Sequence, residues 1–269
     1  MFATIKQIVV DNYTWRHQIW DLALVDIKKT YRGAVLGWAW MFAKPLIYIG
    51  CFWFALDLGL RASDTVGDYP FILWLATGLI PWFFMADMLT AGSGVLKRYS
   101  YLVNRIRFPL SAISSFFALS SLMVFAVCFV VMLAVALACG IRFDAHLAQV
   151  PLVVLVMYLF FVLWSIMTSP LTAISKDLGN LIKAMSLPLF WVSGVIFNVS
   201  AVEHGWVSTV LSFNPVTFFV TAMRAAVCDR YWVWEKPELL LPFAAVLTVT
   251  ALCALLAHRQ FSKGVADEL

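Results

Sequence analysis

The side chains that most often perform chemistry are scattered along this sequence. Its four histidines are far apart, and its five cysteines occur singly, without the CxxC or Cys/His spacings typical of metal sites. There is no paired-carboxylate or Ser/His/Asp constellation, and no GxxxxGK[ST] loop that would bind nucleotide phosphates. The sequence therefore predicts no enzyme acting alone, no metal and no cofactor in this chain.

Two features inside the apolar segments have the chemistry to contact a substrate. Asp87 is the one ionisable residue well inside an apolar run, and a carboxylate is costly in lipid. It predicts either a contact to a pore or substrate, or a structural hydrogen bond between helices. The other feature is a high density of aromatic rings, which either stack on sugars or serve as interfacial anchors and core. Of these rings we expect a subset to face a channel or its mouth: Trp38, Trp40, Trp82 and Phe83.

A basic segment is the third feature, running from Lys97 to Pro109 between two apolar runs. Its four positive charges and lack of negative charge require water at a membrane surface. Apolar residues and tyrosines between the charges favour a short surface helix that docks a partner, although a loop that only sets topology has the same pattern. On one helix, Arg98 and Arg105 would share a face, seven residues apart. The candidate docking residues are Lys97, Arg98, Tyr101, Arg105 and Arg107.

The elements that position these residues follow from composition. Of the 269 residues, 63% are hydrophobic and 13% are charged, against about 25% charged in a soluble domain. The chain is therefore an all-α integral membrane protein. Apolar runs of bilayer-crossing length or close to it predict six transmembrane helices: 34–59, 70–94, 109–139, 150–172, 184–199 and 239–258.

Two further segments flank or interrupt these spans. Apolar residues at steps of three and four in residues 1–31, such as Trp20, Leu24 and Ile27, predict an amphipathic interfacial helix with its Trp and Ile side toward lipid and a break near Asn12. A helix packed on the surface of a partner has the same pattern. Segments 206–213 and 215–227 are separately too short to cross and meet at Asn214-Pro215, which predicts a re-entrant helical hairpin before the last span. With no linker or clear repeat, we expect one domain over 1–269, with the spans within 34–258 and a tail at 259–269.

Charge asymmetry orients the chain. Segments 1–44, 97–107, 173–183 and 259–269 together carry fourteen Lys and Arg against six Asp and Glu. The remaining loops carry five against eight. Since basic loops are retained in the cytoplasm, both termini are predicted to be cytoplasmic, and the net charge of +4 reflects topology and no nucleic-acid partner.

Four patterns resemble the ABC-2 type family of ABC transporter permeases, in the branch that exports lipid-linked polysaccharides such as O-antigens and teichoic acids. One is the acidic-basic-Tyr-Arg approach to the first span, DIKKTYRGAVLGWAW, followed by Lys44-Pro45-Leu46. The other patterns are GLIPWFF before the basic segment with its RFPL end, KDLGN followed by SGVIF, and NPVTFFVTAMR, which contains Asn214, Pro215 and Arg224. Lys44 departs from the family pattern, in which a neutral residue or Asn is expected at this position.

The resemblance implies a bacterial cytoplasmic-membrane homodimer whose two protomers each bind a separate ABC ATPase subunit, which would hold ATP and Mg²⁺. The basic segment would include the helix that couples to the ATPase, and the hairpin would cap the outer end of the pathway. The substrate would be a lipid-linked glycan, as in cell wall biogenesis. Alternatives are an ABC-2 drug or lipid exporter and a non-transport membrane protein of lipid-linked glycan assembly.

Overall fold

Helices account for nearly all of the regular structure. The computed structural model describes residues 2–33, 35–59, 65–66, 69–106, 108–138, 140–199 and 205–261. A two-stranded antiparallel pair, β1 (Thr65–Val66) and β2 (Tyr69–Pro70), precedes the second long helix. The helices are α1 Phe2–Thr14, α2 Arg16–Tyr31, α3 Trp40–Trp53, α4 Phe71–Thr90, α5 Val95–Arg98, α6 Ser100–Ile106, α7 Leu110–Ala138, α8 Val150–Ile174, α9 Lys176–Val192, α10 Gly205–Ser212, α11 Pro215–Arg224 and α12 Pro237–Phe261.

Within the described residues, five helical segments are long and apolar enough to cross a membrane. They are Gly37–Leu56, Phe71–Arg98, Leu110–Ala138, Ala145–Ile174 and Pro237–Phe261. A bent pair formed by α10 and the segment Pro215–Asp229 would make a sixth if it counts as one span. The prediction of an all-α integral membrane protein is confirmed.

The fifth predicted span, 184–199, lies partly in α9 but has different bounds. The helix begins eight residues earlier because Ser175 caps it, its hydroxyl accepting from the amide of Leu178 at 3.4 Å. It ends at Val192, and Gly194 then adopts φ 73°, which ordinary helices do not allow. Its 17 residues rise about 26 Å, a little less than the hydrocarbon core. The count of six spans plus a hairpin stays a prediction.

Helix α4 is the centre of the bundle. About 78% of the residues in its most apolar 18-residue stretch are buried, and it packs against α3, α7, α8, α9 and α11. By contrast, only 11% of the first span is buried, so α3 lies on the outside of the single chain. Side chains on α4 therefore face other helices on nearly every side.

The amphipathic segment 1–31 forms two helices, and the break lies at Trp15, three residues after the predicted position. Trp20 and Leu24 are exposed as the predicted lipid-facing stripe requires, but Ile27 is buried. That part of the prediction is wrong because α2 packs along α7 and buries the face that carries Ala23, Asp26 and Ile27.

Candidate functional site

A polar cavity lies between α2, α3, α4 and α7, at the end of the bundle that carries the basic segment. Its volume is about 450 Å³. The wall includes two acidic side chains, Asp26 and Asp87, and two basic ones, Lys44 and Arg98. Aromatic rings and hydroxyl groups complete it, among them Tyr31, Trp40, Phe83, Thr30, Thr90, Ser120, Ser121 and Ser186. Rings beside charged and hydroxyl groups suit a polar ligand that has both apolar faces and hydrogen-bonding groups.

Three residues of this cavity wall, Asp26, Arg98 and Ser120, together with Tyr99, which bonds to Asp26 from behind the wall, form what we name the junction cluster. The Asp26 carboxylate is buried; it accepts hydrogen bonds from the hydroxyl of Tyr99 and, at 2.7 Å, from that of Ser120. It also pairs with the Arg98 guanidinium at 3.5 Å. Burial, and the hydrogen bond to the carboxylate, raise the pKa of Tyr99. The cluster therefore joins the N-terminal helix α2 to the basic segment and to α7.

The basic segment is not one helix. Tyr99 interrupts it with φ −118° and ψ 29°, and its buried side chain separates α5 from α6. Arg98 ends α5 and Arg105 belongs to α6, so the expectation that the two residues share a face of one helix is wrong. Among the predicted docking residues, Lys97, Arg98 and Tyr101 are exposed. Arg107 and the Arg105 side chain lie outside the described residues.

The joint between α4 and α5 is held by hydroxyl groups. Ser93 accepts hydrogen bonds from the Trp164 indole at 3.1 Å and from the Thr168 hydroxyl at 3.0 Å. The hydroxyl of Thr172 donates to the Ser93 carbonyl oxygen, and that of Ser165 donates to the Gly92 carbonyl oxygen at 2.8 Å. These bonds fix the turn just before the basic segment to α8.

The aromatic residues predicted to face a channel divide into two groups. Trp40 and Phe83 line the cavity, and exposed Trp38 stacks on Tyr31 with ring centroids 6.2 Å apart. Trp82 is buried and packs on Phe190 of α9 at 5.3 Å, so its ring belongs to the core and not to the cavity wall. Position in the sequence could not separate them, because neighbouring helix residues point in different directions.

Asp87 fits both predicted interpretations. Its carboxylate accepts a hydrogen bond from the Ser121 hydroxyl at 2.5 Å, and it also lines the cavity. The hydrogen bond fixes the side chain between α4 and α7. The exposed part of the carboxylate faces the cavity, where a ligand hydroxyl can reach it.

The predicted hairpin is a bent helix pair joined at Asn214-Pro215, with an angle of 92°. The Asn214 side chain caps α11 by accepting from the amide of Val216 at 3.0 Å, and its amide donates to the Ser193 hydroxyl at 2.8 Å. Pro215 occupies the first helical position, which suits its fixed φ. Local capping chemistry explains why the break could be located from sequence.

Arg224 ties the hairpin to the turn after α9. Its guanidinium donates to the carbonyl oxygens of Gly194 at 2.6 Å, Val195 at 2.6 Å and Phe197 at 3.3 Å. It also stacks on Trp74, 3.5 Å from the ring centroid. These carbonyl oxygens would otherwise lack hydrogen-bond donors in a buried turn. Arg224 therefore has a structural role in the hairpin.

Several of these residues were missed by sequence reasoning. Asp26 appeared only as the start of a motif, Trp74 only as one of many aromatic rings, and Tyr99 only as part of the basic segment. The only sequence signal that Asp26 is buried in a polar cluster was its position between two apolar residues, Val25 and Ile27. Among the residues that the structure describes, no group of three or more His, Cys, Asp and Glu side chains is placed to hold a metal ion.

Membrane-crossing helices around a polar, ring-lined cavity define an integral membrane protein with a polar site between its helices. The model of the ABC-2 type transporter family matches residues 17–227, which is most of the chain. The chain therefore belongs to that family.

Three similar proteins are named as permeases of O-antigen export. The chain is 21% identical over 255 residues to the O-antigen export system permease protein RfbA of Myxococcus xanthus, covering 94% of this chain and 96% of that protein. Two proteins of the same name from Klebsiella pneumoniae are 23% and 22% identical over 243 residues, each covering 87% of this chain and 90% of the relative. The resemblance to ABC-2 permeases of the O-antigen branch is confirmed.

Proposed function

We propose that this chain is the permease subunit of an exporter that moves a lipid-linked polysaccharide, of the O-antigen or teichoic-acid type, across the bacterial cytoplasmic membrane. The observation that carries the proposal is the polar cavity and its connection to the basic segment through the junction cluster. A glycan presents hydroxyl groups and apolar ring faces, and the cavity offers Asp87, Trp40 and Phe83 for both. The names of the similar proteins support the same substrate class.

A separate ABC ATPase subunit would supply the energy. Of the predicted docking residues that the structure describes, Lys97, Arg98 and Tyr101 have exposed side chains and would contact the partner, which would hold ATP and Mg²⁺. Closure of an ATPase dimer would push the basic segment. Because the junction cluster and the Ser93 hydroxyl bonds tie this segment to α2, α7 and α8, the push would reach the cavity wall.

The active unit would be a homodimer with two ATPase copies, both termini in the cytoplasm and the hairpin at the outer end of the pathway. The charge asymmetry supports this orientation. The sparsely covered α3, which borders the cavity, is a suitable surface for the second protomer. Membrane lipid would cover the remaining faces.

Depletion of the protein in its own cell tests the function. We expect a lipid-linked glycan to accumulate on the cytoplasmic side, and re-expression of the wild-type protein to restore it to the surface. Purified protein alone should hydrolyse no ATP, and hydrolysis should require the partner ATPase. Unchanged surface glycan after depletion would contradict the proposal, and accumulation of a drug or a simple lipid would favour a different ABC-2 exporter.

A further inference from the structure

Four charged side chains line the polar cavity, and their charges balance. Asp26 and Arg98 form an ion pair, 3.5 Å apart. The other acid and the other base, Asp87 and Lys44, form no ion pair among the residues that the structure describes. One of the two possible pairs in the cavity wall is therefore closed, and the second is open.

Lys44 and Asp87 lie close enough to meet. The Lys44 amine is 5.8 Å from the centroid of the Phe83 ring. Phe83 and Asp87 are four residues apart on α4, so they are neighbours on one face of that helix, about one turn apart. Lys44 is also the positive charge that acts most strongly on Asp87, ahead of Arg98. A change of rotamer in the lysine side chain, or a small shift of α3, would bring the amine to the carboxylate.

Asp87 is the fixed member of this pair. It lies on α4, the centre of the bundle, and the Ser121 hydroxyl donates to its Oδ2 atom at 2.5 Å. The Oδ1 atom is left for a second partner. Inside a membrane-crossing helix a carboxylate without partners is costly, so this oxygen favours an ammonium group or a hydroxyl group.

Lys44 is the mobile member. Its ammonium group is carried on a flexible four-carbon stem, and Pro45, directly after it, removes one hydrogen bond from α3. That loss frees the carbonyl oxygen of Met41, which accepts instead from the Cys128 thiol at 3.6 Å. Because a thiol is a weak donor, the turn of α3 around Lys44 is held less firmly than a regular helical turn.

Closure of the second pair changes what the cavity can hold. The bond would run from α3 to α4 through the cavity, and each acid of the wall would then be paired with a base. An ion that enters such a cavity finds no free counter-charge, and a charge inside a membrane without one is costly. The closed pair would also occupy the oxygen of Asp87 that a sugar hydroxyl needs.

We propose that Lys44 and Asp87 are a gate in the polar cavity, closed by an ion pair between them in the empty protein and opened when a sugar hydroxyl replaces the ammonium group on Asp87. The arrangement described above, with the Lys44 amine near Phe83, is then the open one. Because the ion pair and the sugar compete for one carboxylate oxygen, the cavity stays sealed against ions until a substrate enters. This deepens the proposed function, on which it rests for the identity of the ligand.

Zero-length cross-linking of the full-length protein in phosphatidylcholine nanodiscs tests the contact, with dicyclohexylcarbodiimide as the reagent. The reagent activates a carboxyl group, a neutral amine in contact attacks the carbonyl carbon, and an amide forms while the carbodiimide leaves as its urea. We expect a cross-linked peptide pair that joins Lys44 to Asp87. The pair should be absent in Lys44→Gln, where added methylamine should couple to Asp87 instead.

Three results would overturn the pairing. One is coupling of methylamine to Asp87 in the wild-type protein without any link to Lys44. Another is a link from Lys44 to Asp26 in place of Asp87. The third is an Asp87 that reacts with neither amine, because its carboxylate would then not be open to the cavity.

Potassium efflux from phosphatidylcholine liposomes that contain the full-length protein tests the seal, with a protonophore present to balance charge. Lys44→Gln and Asp87→Asn should each raise efflux about tenfold, because each removes a hydrogen bond between charged groups that holds the closed state. The exchanged variant, Lys44→Asp with Asp87→Lys, should return efflux toward the wild-type rate. Lys183→Gln, at an exposed position of α9, is the matched control and should leave efflux unchanged.

Folding of each variant is checked by size-exclusion chromatography. Asp87→Asn keeps an oxygen that can accept from Ser121, so this variant tests the gate even if the exchanged variant does not fold. If folded Lys44→Gln and Asp87→Asn retain potassium as well as the wild-type protein does, the gate is refuted. A wild-type protein that leaks as fast as these variants would refute it equally.

Neither assay contains ATPase or glycan, so both are independent of the depletion experiment. Unchanged surface glycan after depletion, with the cross-link and the efflux changes as expected, would refute the export function and leave the gate standing. Glycan accumulation after depletion, without the cross-link, would refute the gate alone.

Discussion

Gly78 lies against the buried Arg224 guanidinium, and its replacement by alanine tests that arrangement. A β-carbon at Gly78 would lie 2.6 Å from both the Nη2 of Arg224 and the carbonyl oxygen of Val195. Neither atom can move freely, because they are hydrogen-bonded to each other at 2.6 Å and the guanidinium is stacked on Trp74. The added methyl group must therefore displace the turn after α9 or break its bonds to Arg224.

The magnitude follows from these contacts. Overpacking a core position costs about 1–3 kcal/mol, and weakening a hydrogen bond to a charged group costs about 1.5–3 kcal/mol. Replacing a helix-interior glycine by alanine returns about 0.5–1 kcal/mol. We expect Gly78→Ala to destabilise the protein by about 2–5 kcal/mol, which lowers the melting temperature by about 5–15 °C at the usual scaling for a chain of this size.

Thermal unfolding in detergent, followed by fluorescence-detected size exclusion, measures the effect. The matched control is Gly50→Ala, also inside a helix, where a β-carbon would meet nothing within 4 Å. The control should melt at or slightly above the wild-type temperature. If Gly78→Ala melts there too, Arg224 does not occupy the position described, and the tie between the hairpin and the turn after α9 is refuted.

Three further expectations concern the cavity and the basic segment. Arg98→Glu should lower thermal stability because it places a second carboxylate in the junction cluster. Lys97→Glu should leave thermal stability unchanged and weaken co-purification of the ATPase. Equal thermal stability of the two variants would contradict the contacts of the junction cluster. Trp40→Leu should slow export several-fold at unchanged stability, since ring stacking on a sugar contributes about 1 kcal/mol. Trp82→Leu should mainly lower the melting temperature. The reverse pattern would contradict the assignment of Trp40 to the cavity wall and of Trp82 to the core. A cysteine at Ser100 should be unreachable by a membrane-impermeant thiol reagent added to intact cells, and labelling there would overturn the orientation.

Features controlled by nearby residues could be predicted from sequence. The break at Asn214-Pro215 was located because Asn caps the next helix with its own side chain and Pro fits only the first helical turn. The first four spans and the last span were located because a bilayer requires about 20 consecutive apolar residues. The basic segment was identified because its charges cannot enter lipid.

Features that depend on which faces meet required the structure. Position along the chain gives no sign that Trp82 packs on Phe190 while Phe83 lines a cavity, because the direction of each ring depends on the helix that packs beside it. The bounds of α9 were wrong because hydropathy does not detect a cap at Ser175.

The sequence by itself determined the class of this protein, its long helices and the position of its charged segment, since composition and local hydrogen bonding decide these. Only the tertiary structure decided that Asp26 is buried beside Tyr99 and that Arg98 pairs with it. The physical reason is that a charge inside a membrane protein is stable only with partners, and here those partners come from helices 72 to 94 residues away in the chain.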